Sequence, residues 1–285
     1  MERKLDGPIG LVVHPKRDLD RALAAIRKWA ESEDRTVGQI HVDGQDRRVA
    51  DPIDPADCGL IVAVGGDGTA LAALHAGAGA SRPVLGVACG SIGALTSVHA
   101  DDIDEALEKV SEGKWIAREL PSLDVNGDWI AINDLAVIRD GDGQIVTSMF
   151  VDDDIYARVA GDGVIVATPV GSSAYTMAAG GPLLTPTCDN FAVTPLASHG
   201  GSVPPLVLSG SNRLTLDVQP GYGGMRLEVD GQRTDCTSTK LTITRRNNYA
   251  TLISFEHGEA MIAGLRKRGL LLDSPRAKMR EKRDG

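Results

Sequence analysis

Val62-Ala63-Val64-Gly65-Gly66-Asp67-Gly68-Thr69 decides the fold: an apolar, β-branched run breaks into three glycines around one carboxylate and ends on a hydroxyl. Leu60 to Val64 have the length and composition of a strand buried inside a sheet. Ala70-Leu71-Ala72-Ala73-Leu74-His75 is a run of strong helix formers that Thr69 is placed to cap, so the glycines occupy a strand-to-helix turn. Glycines there let backbone amides approach an anion, and the amides at a helix start can bind it. Asp67 is the odd member, because a carboxylate repels phosphate. It holds a metal ion, accepts a proton from an attacking hydroxyl, or only bonds to nearby amides in a tight turn.

Outward from this turn, strand and helix signals alternate. Ile9 to Val13 and Val37 to Val42 read as strands, and Leu19 to Trp29 as an amphipathic helix with Leu19, Leu23, Ile26 and Trp29 near helical spacing. Val84 to Val87 and an Asp101 to Glu112 helix continue the alternation, which predicts an α/β domain with a parallel sheet covered by helices. Ligands gather at the carboxyl ends of strands in such sheets, where the glycine turn lies. From Pro121 the texture changes to short segments punctuated by Gly, Asn, Asp and Pro: Leu123 to Val125, Trp129 to Ile132, Ile145 to Val151, Tyr156 to Val159, Leu214 to Val218, Met225 to Val229, Lys240 to Thr244 and Thr251 to Phe255. They predict an all-β domain of layered sheets. After Phe255 a helix carrying Arg266-Lys267-Arg268 is expected to pack back on the first domain, before a frayed polar tail from Arg280 to Gly285. The expected division is 1–120, 121–255 and 256–285.

At 285 residues and 42% hydrophobic content, two ordinary cores fit. A net charge of -9 argues against a nucleic-acid or anionic-membrane surface. No apolar run approaches the roughly 18 residues of a membrane span, and the charged N-terminus lacks a signal-peptide core, so the expected location is the cytoplasm. Cys58, Cys89, Cys188 and Cys236 are scattered and read as free thiols, and neither they nor the six histidines show metal-binding spacing.

A second motif lies in the β-rich half: Gly161-Asp162-Gly163-Val164-Ile165-Val166-Ala167-Thr168-Pro169-Val170-Gly171-Ser172-Ser173-Ala174-Tyr175, with Gly180-Gly181-Pro182 close behind. A buried strand runs into a loop of small and hydroxylated residues, then into a short helix near Ala174. Such a loop can offer amides and hydroxyls to a nucleotide and Tyr175 as a stacking surface, or Ser172 and Ser173 can simply cap the helix.

Together the two segments closely resemble the NAD kinase family, which pairs GGDGT with DG-x-x-x-x-TP-x-GS-[TS]-AY. Asn133-Asp134 is similar to the family's Asn-Glu pair, Pro195 to His199 to its Pro-x-x-Pro-His stretch, and Asp230-Gly231-Gln232 to its late Asp-Gly-Gln. GGDG turns also occur in lipid kinases and phosphofructokinase-like enzymes, which lack the second loop. The resemblance implies a nucleotide site between an α/β and a β domain, and a homodimer or homotetramer. It also implies transfer of the terminal phosphate of ATP or polyphosphate to the 2′-hydroxyl of the adenosine ribose of NAD, with Mg²⁺ neutralising charge. Asp67 would be the general base, or a carboxylate orienting the hydroxyl and a metal-bound water. Gly65, Gly66, Gly68 and Thr69 would hold phosphate. Asn133 and Asp134 would take adenine and ribose, Asp162 ribose hydroxyls, and Ser173, Ala174 and Tyr175 would line the dinucleotide loop.

Departures from the pattern cluster at the dinucleotide. In Gly86 to Leu95, Ala88 replaces the family's Asn and Ala94 its Phe. Val170 replaces Thr or Ser, Ala178 a Ser, Ser198 the second Pro of Pro-x-x-Pro-His, and Pro204 an Arg. Each lost contact is worth on the order of 1 kcal/mol, which predicts weaker dinucleotide binding. Two other readings stay open: a paralogue that binds a nucleotide without phosphorylating it, and a kinase for another hydroxylated acceptor. Asp67 beside phosphate argues for an enzyme.

Overall fold

A computed structural model describes residues 5–43, 46–255, 260–267 and 269–276. The chain divides into two compact units. The first takes in Met1–Ala73, Val84–Ile116 and Ile253–Gly285, the second Leu74–Pro83 and Ala117–Leu252.

The first unit carries strands β1 (Ile9–Val13), β2 (Val37–Gln39), β3 (Leu60–Gly65), β4 (Val84–Ala88) and β5 (Val98–His99), with helices α1 (Asp20–Ser32), α2 (Asp67–Ala80, whose last turns count with the second unit) and α3 (Ile103–Ser111). All pairings are parallel, in the order β2-β1-β3-β4-β5, as the alternating pattern predicts. β1, β3 and β4 are buried at every position, which is why they read as continuous apolar runs rather than alternating ones. α1 buries Leu23, Ile26 and Trp29 at helical spacing. These pack with Ile103, Leu107 and Val110 of α3 and the sheet residues Leu11, Val62 and Leu85 into one core. Helix α5 (Ala260–Lys267) returns to this unit and buries Leu265 completely. The tail from Arg280 lies outside the described residues.

The second unit holds β6 (Ile116–Val125), β7 (Trp129–Ala131), β8 (Asp134–Arg139), β9 (Ile145–Val151), β10 (Asp154–Gly161), β11 (Gly163–Ala167), β12 (Asn190–Leu196), β13 (Leu206–Ser209), β14 (Leu214–Gln219), β15 (Met225–Val229), β16 (Gln232–Arg233) and β17 (Lys240–Ser254), with a one-turn helix α4 (Tyr175–Ala178). One antiparallel sheet runs β13-β12-β11-β8-β15-β16; in the other, β10-β9-β14-β17 follow one another, β6 pairs with β17, and β7 with β6. Leu135, Val164 and Phe191 of the first meet Met149, Leu216 and Ile243 of the second in a shared core, the layered β arrangement the sequence predicts.

Several boundaries differ. The segments expected at Lys240 to Thr244 and Thr251 to Phe255 are one 15-residue strand that takes in the Asn247-Asn248 pair between them, with Asn248 at positive φ and Arg245 and Arg246 paired with Asp189 and Asp124. The strand expected from Leu123 begins at Ile116, and that expected to reach Val42 ends at Gln39. Pro195 sits inside β12, where β13 pairs only as far as Val193 and so demands no N–H from it. Cys58 and Cys236 are buried, Cys89 and Cys188 half-buried, and none of the four forms a disulfide among the described residues. No described helix is long and apolar enough to cross a membrane.

Candidate active site

In the first unit the strand order reverses direction at β1, whose neighbours are β2 and β3, so the crevice beyond the carboxyl ends of β1 and β3 is the expected ligand position. The glycine turn follows β3 at that end. α2 starts at Asp67, two residues before the expected Thr69 cap, so Thr69 lies within the first helical turn. Its side chain is buried against Gly65, where an added Cβ would come within 2.4 Å of the Thr69 hydroxyl and 2.9 Å of His14 Cβ. The Thr69 hydroxyl therefore packs against the turn. Gly68 is exposed with open space around it, and Gly66 is half-buried. Ala70 N donates to Gly66 O at 2.9 Å, so the amides of Gly68 and Thr69 lie ahead of the helical ladder, the position from which a helix start binds an anion.

The Asp67 carboxylate accepts two backbone hydrogen bonds, from Ala94 N to Oδ2 at 2.8 Å and from Leu95 N to Oδ1 at 3.1 Å. Gly93 passes so close that a Cβ there would lie 2.0 Å from Oδ1. The bonding to amides weighed from the sequence is thus real, but the amides belong to the loop after β4 rather than to the turn itself. One N–H per oxygen leaves each with a further lone pair, so the carboxylate is oriented without being used up.

In the second unit, β-sheet register assembles the second set. Ala167 of β11 lies opposite Asp134 of β8, and Val229 of β15 opposite Leu135, so the Asn133-Asp134 turn, the loop after β11 and the β15–β16 hairpin share one end of the sheet. That hairpin turns through Asp230 and Gly231, both at positive φ, the Asp-Gly pair that suits a two-residue turn. The Asp230 carboxylate accepts the amides of Asn133 (2.7 Å), Ile132 (2.9 Å) and Asp134 (3.2 Å), and sits 2.7 Å from His75 Nε2. On the other side, Thr168 N donates to Asn133 O at 2.9 Å and the Thr168 hydroxyl to Ile132 O at 2.7 Å. Gly171 approaches so closely that a Cβ would lie 2.0 Å from Asn133 O.

Asp134 is 7% exposed and accepts a hydrogen bond from the Tyr175 amide. Burial, then the neighbouring Asp230 charge, push its carboxyl up to about 7, against the opposing pull of the Tyr175 amide. Neither serine caps α4: the Ser172 hydroxyl donates to Pro169 O and accepts Leu184 N, and Ser173 donates to Val170 O. Ser173 is half-buried, while Ala174 and Tyr175 are exposed. Asp162 pairs with Arg139 Nε at 2.7 Å and, with Tyr175 and Arg226, lines a cavity of about 290 Å³.

Residues 10–115 match the ATP-NAD kinase N-terminal domain and residues 132–253 the ATP-NAD kinase C-terminal domain. An NAD kinase of Clostridium beijerinckii is 31% identical over 263 residues, covering 87% of this chain and 90% of that one. The chain belongs to the NAD kinase family. An NAD kinase of Clostridium botulinum strain Kyoto is 32% identical over 205 residues, 69% of this chain and 73% of its own. Two solved structures share the fold. The Archaeoglobus fulgidus NAD kinase in complex with ATP has a TM-score of 0.74 at 24% identity, covering 90% of this chain and 98% of that one. The yeast NADH kinase complexed with NADH has a TM-score of 0.74 at 19% identity, covering 94% and 89%.

Membership makes the chain a kinase, a phosphotransferase with an alcohol acceptor. Sequence reasoning left His75 and Asp230 out of the site, although both organise the Asn133-Asp134 turn. The signal for Asp230 was its Asp-Gly-Gln match; His75 had none, because its partner is distant in sequence. Among the described residues no three His, Cys, Asp or Glu side chains cluster as a metal cage. The single carboxylate of Asp67 fits Mg²⁺, which commonly takes one or two carboxylates and otherwise water and substrate phosphates.

Proposed function

We propose that this chain phosphorylates NAD: the 2′-hydroxyl of the adenosine ribose attacks the terminal phosphorus of ATP, giving NADP and ADP. A new O–P bond forms as the bond from that phosphorus to the bridging oxygen of ADP breaks, and the hydroxyl proton passes to Asp67. The observation that carries this reading is the Asp67 carboxylate, oriented by two loop amides at the head of α2, beside the Gly68 and Thr69 amides at the helix start. A binder would gain nothing from a negative charge there, which disfavours a non-catalytic paralogue.

Gly65, Gly66, Gly68 and Thr69 hold phosphate oxygens through the turn. Asn133 receives adenine, and the Asp134 carboxyl, ionised above about pH 7, accepts ribose hydroxyls. Asp162, steadied by Arg139, takes further ribose hydroxyls, while Ser173 and Ala174 line the loop and the exposed Tyr175 ring offers a stacking face. Asp67, with the nucleotide phosphates, would hold Mg²⁺, which would supply charge neutralisation. ATP is the preferred donor over polyphosphate, supported by the ATP complex of the Archaeoglobus relative. The working form is a cytoplasmic homodimer or homotetramer, which light scattering of purified protein would check.

Purified protein with millimolar ATP, Mg²⁺ and NAD should make NADP, and chelation should abolish it. Folded protein that makes no NADP refutes the reading; ATP turnover without NADP would point to another hydroxylated acceptor.

A further inference from the structure

The turn that would hold the triphosphate contributes amides and a carboxylate but no cation. The nearest cationic groups come from the segment after β1, the strand beside β3 at the reversal of the sheet order. This segment is tightly built. His14 N donates to Val64 O at 2.9 Å, and His14 Nδ1 accepts the amides of Lys16 and Arg17, both at 3.1 Å. Arg47 Nη1 donates to Arg17 O at 2.6 Å. The outcome is a fixed direction for the Arg17 side chain, whose Nη1 donates to Cys89 O at 3.2 Å and Gly65 O at 3.4 Å. Its guanidinium lies directly over the glycines: a Cβ on Gly66 would be 3.4 Å from Nη1, and one on Gly90 2.8 Å.

Arg17 is exposed, and no carboxylate pairs with it among the described residues. Arg21 and Arg47 nearby do have acidic partners, Asp101 and Asp20. An unpaired guanidinium pinned by one nitrogen above a phosphate-binding turn keeps Nε and Nη2 for a ligand, in the fork geometry that matches phosphate oxygens.

We propose that Arg17 is a catalytic residue that binds the terminal phosphates of the ATP donor over the Gly65-Gly66 turn. As the bond to the bridging oxygen breaks, negative charge moves onto the β-phosphate of ADP, and Arg17 donates to the oxygens that receive it. This rests on the kinase reading above, so the wild-type chain is assayed beside every variant.

The experiment compares Arg17→Lys, Arg17→Gln and Arg17→Ala in steady-state kinetics with ATP and NAD varied separately. Gln and Ala should lower kcat/KM for ATP about 10²-fold, Lys should retain part of it, and KM for NAD should stay within about twofold. The wild-type KM for ATP should also rise more steeply with salt than that of Arg17→Gln. The Gln amide ends two bonds short of Nη1 and gives up the Gly65 and Cys89 carbonyls together with the charge, whereas Lys keeps the charge, so wild-type kinetics in Arg17→Gln would overturn the proposal. Equal rises in KM for ATP and NAD in all three variants, with lowered melting temperatures, would overturn it too. A wild-type chain that makes NADP while the variants match it refutes this inference alone; a folded wild-type chain that makes none refutes the kinase reading with it.

Discussion

Asp134 is the residue at which stability and function should pull in opposite directions. Its carboxyl is buried beside the Asp230 charge and titrates at about 7 instead of its ordinary 3.8. Between those two values the folded state holds a proton that the unfolded chain has released. Stability therefore falls as pH rises through this window and levels off above about 7. At about 1.4 kcal/mol per tenfold in proton affinity, ionising Asp134 in the folded chain costs at most about 4 kcal/mol at pH 8 relative to pH 3. Asp134→Asn removes that cost while its Oδ1 can still accept the Tyr175 amide. We expect it to stabilise the protein by about 2 kcal/mol at pH 8, part of the gain being lost to imperfect hydrogen bonding, and by little near pH 4. Urea unfolding of both proteins at the two pH values measures this difference directly. The same variant should raise KM for NAD about tenfold at pH 8, because a neutral amide accepts ribose hydroxyls more weakly than a carboxylate does. Equal stability differences at pH 4 and pH 8 would refute the raised titration. A stabilised variant with unchanged KM would remove Asp134 from the nucleotide site.

Asp67→Asn should lower kcat by about 10² or more while NAD affinity holds. It should also cost about 1 to 2 kcal/mol of stability, because its NH₂ faces one of the two loop amides that the carboxylate accepts; near-wild-type kcat would remove the general base. His75→Ala takes one donor from Asp230, so amide exchange at Ile132, Asn133 and Asp134 should quicken about tenfold in the unliganded protein, and unchanged exchange would show that the three backbone donors suffice. Gly93→Ala places a methyl against the Asp67 carboxylate and should cost about 1 to 3 kcal/mol together with most of the activity, whereas an active, stable variant would show that this loop yields freely.

What the sequence makes legible is what its own neighbours determine. The glycine turn is readable because Leu60 to Val64, the glycines and the following helix formers each state a local preference, and the three agree. The helix starts at Asp67, three residues before the expected Ala70, and the carboxylate that opens it is secured by Ala94 and Leu95, a contact with the loop after the neighbouring strand. β17 is misread for the same kind of reason: Asn247-Asn248 has the composition of a turn, while the partners that hold the strand on its near side, Asp189 and Asp124 on Arg245 and Arg246, come from elsewhere in the chain. Asp134 and Asp162 are both visible as motif carboxylates, but only packing separates the one desolvated beside Asp230 from the one paired with Arg139.

Arg17 and His75 mark the limit most clearly. A single arginine after a strand and a single histidine on an apolar helix carry no signal in a linear reading, and the ordinary expectation for each is a solvated or structural side chain. Arg17 matters because β1 pairs with β3, so the residues after one strand stand beside those after the other. His75 matters because it reaches the Asp-Gly turn after β15, and that turn reaches the start of β8 through sheet register. Strand order and register are non-local, so motif residues can be found one at a time whereas the residues that orient them emerge with the sheet. The glycine turn marks where phosphate would lie, and the neighbouring strand of the same sheet presents the cation fit to meet it.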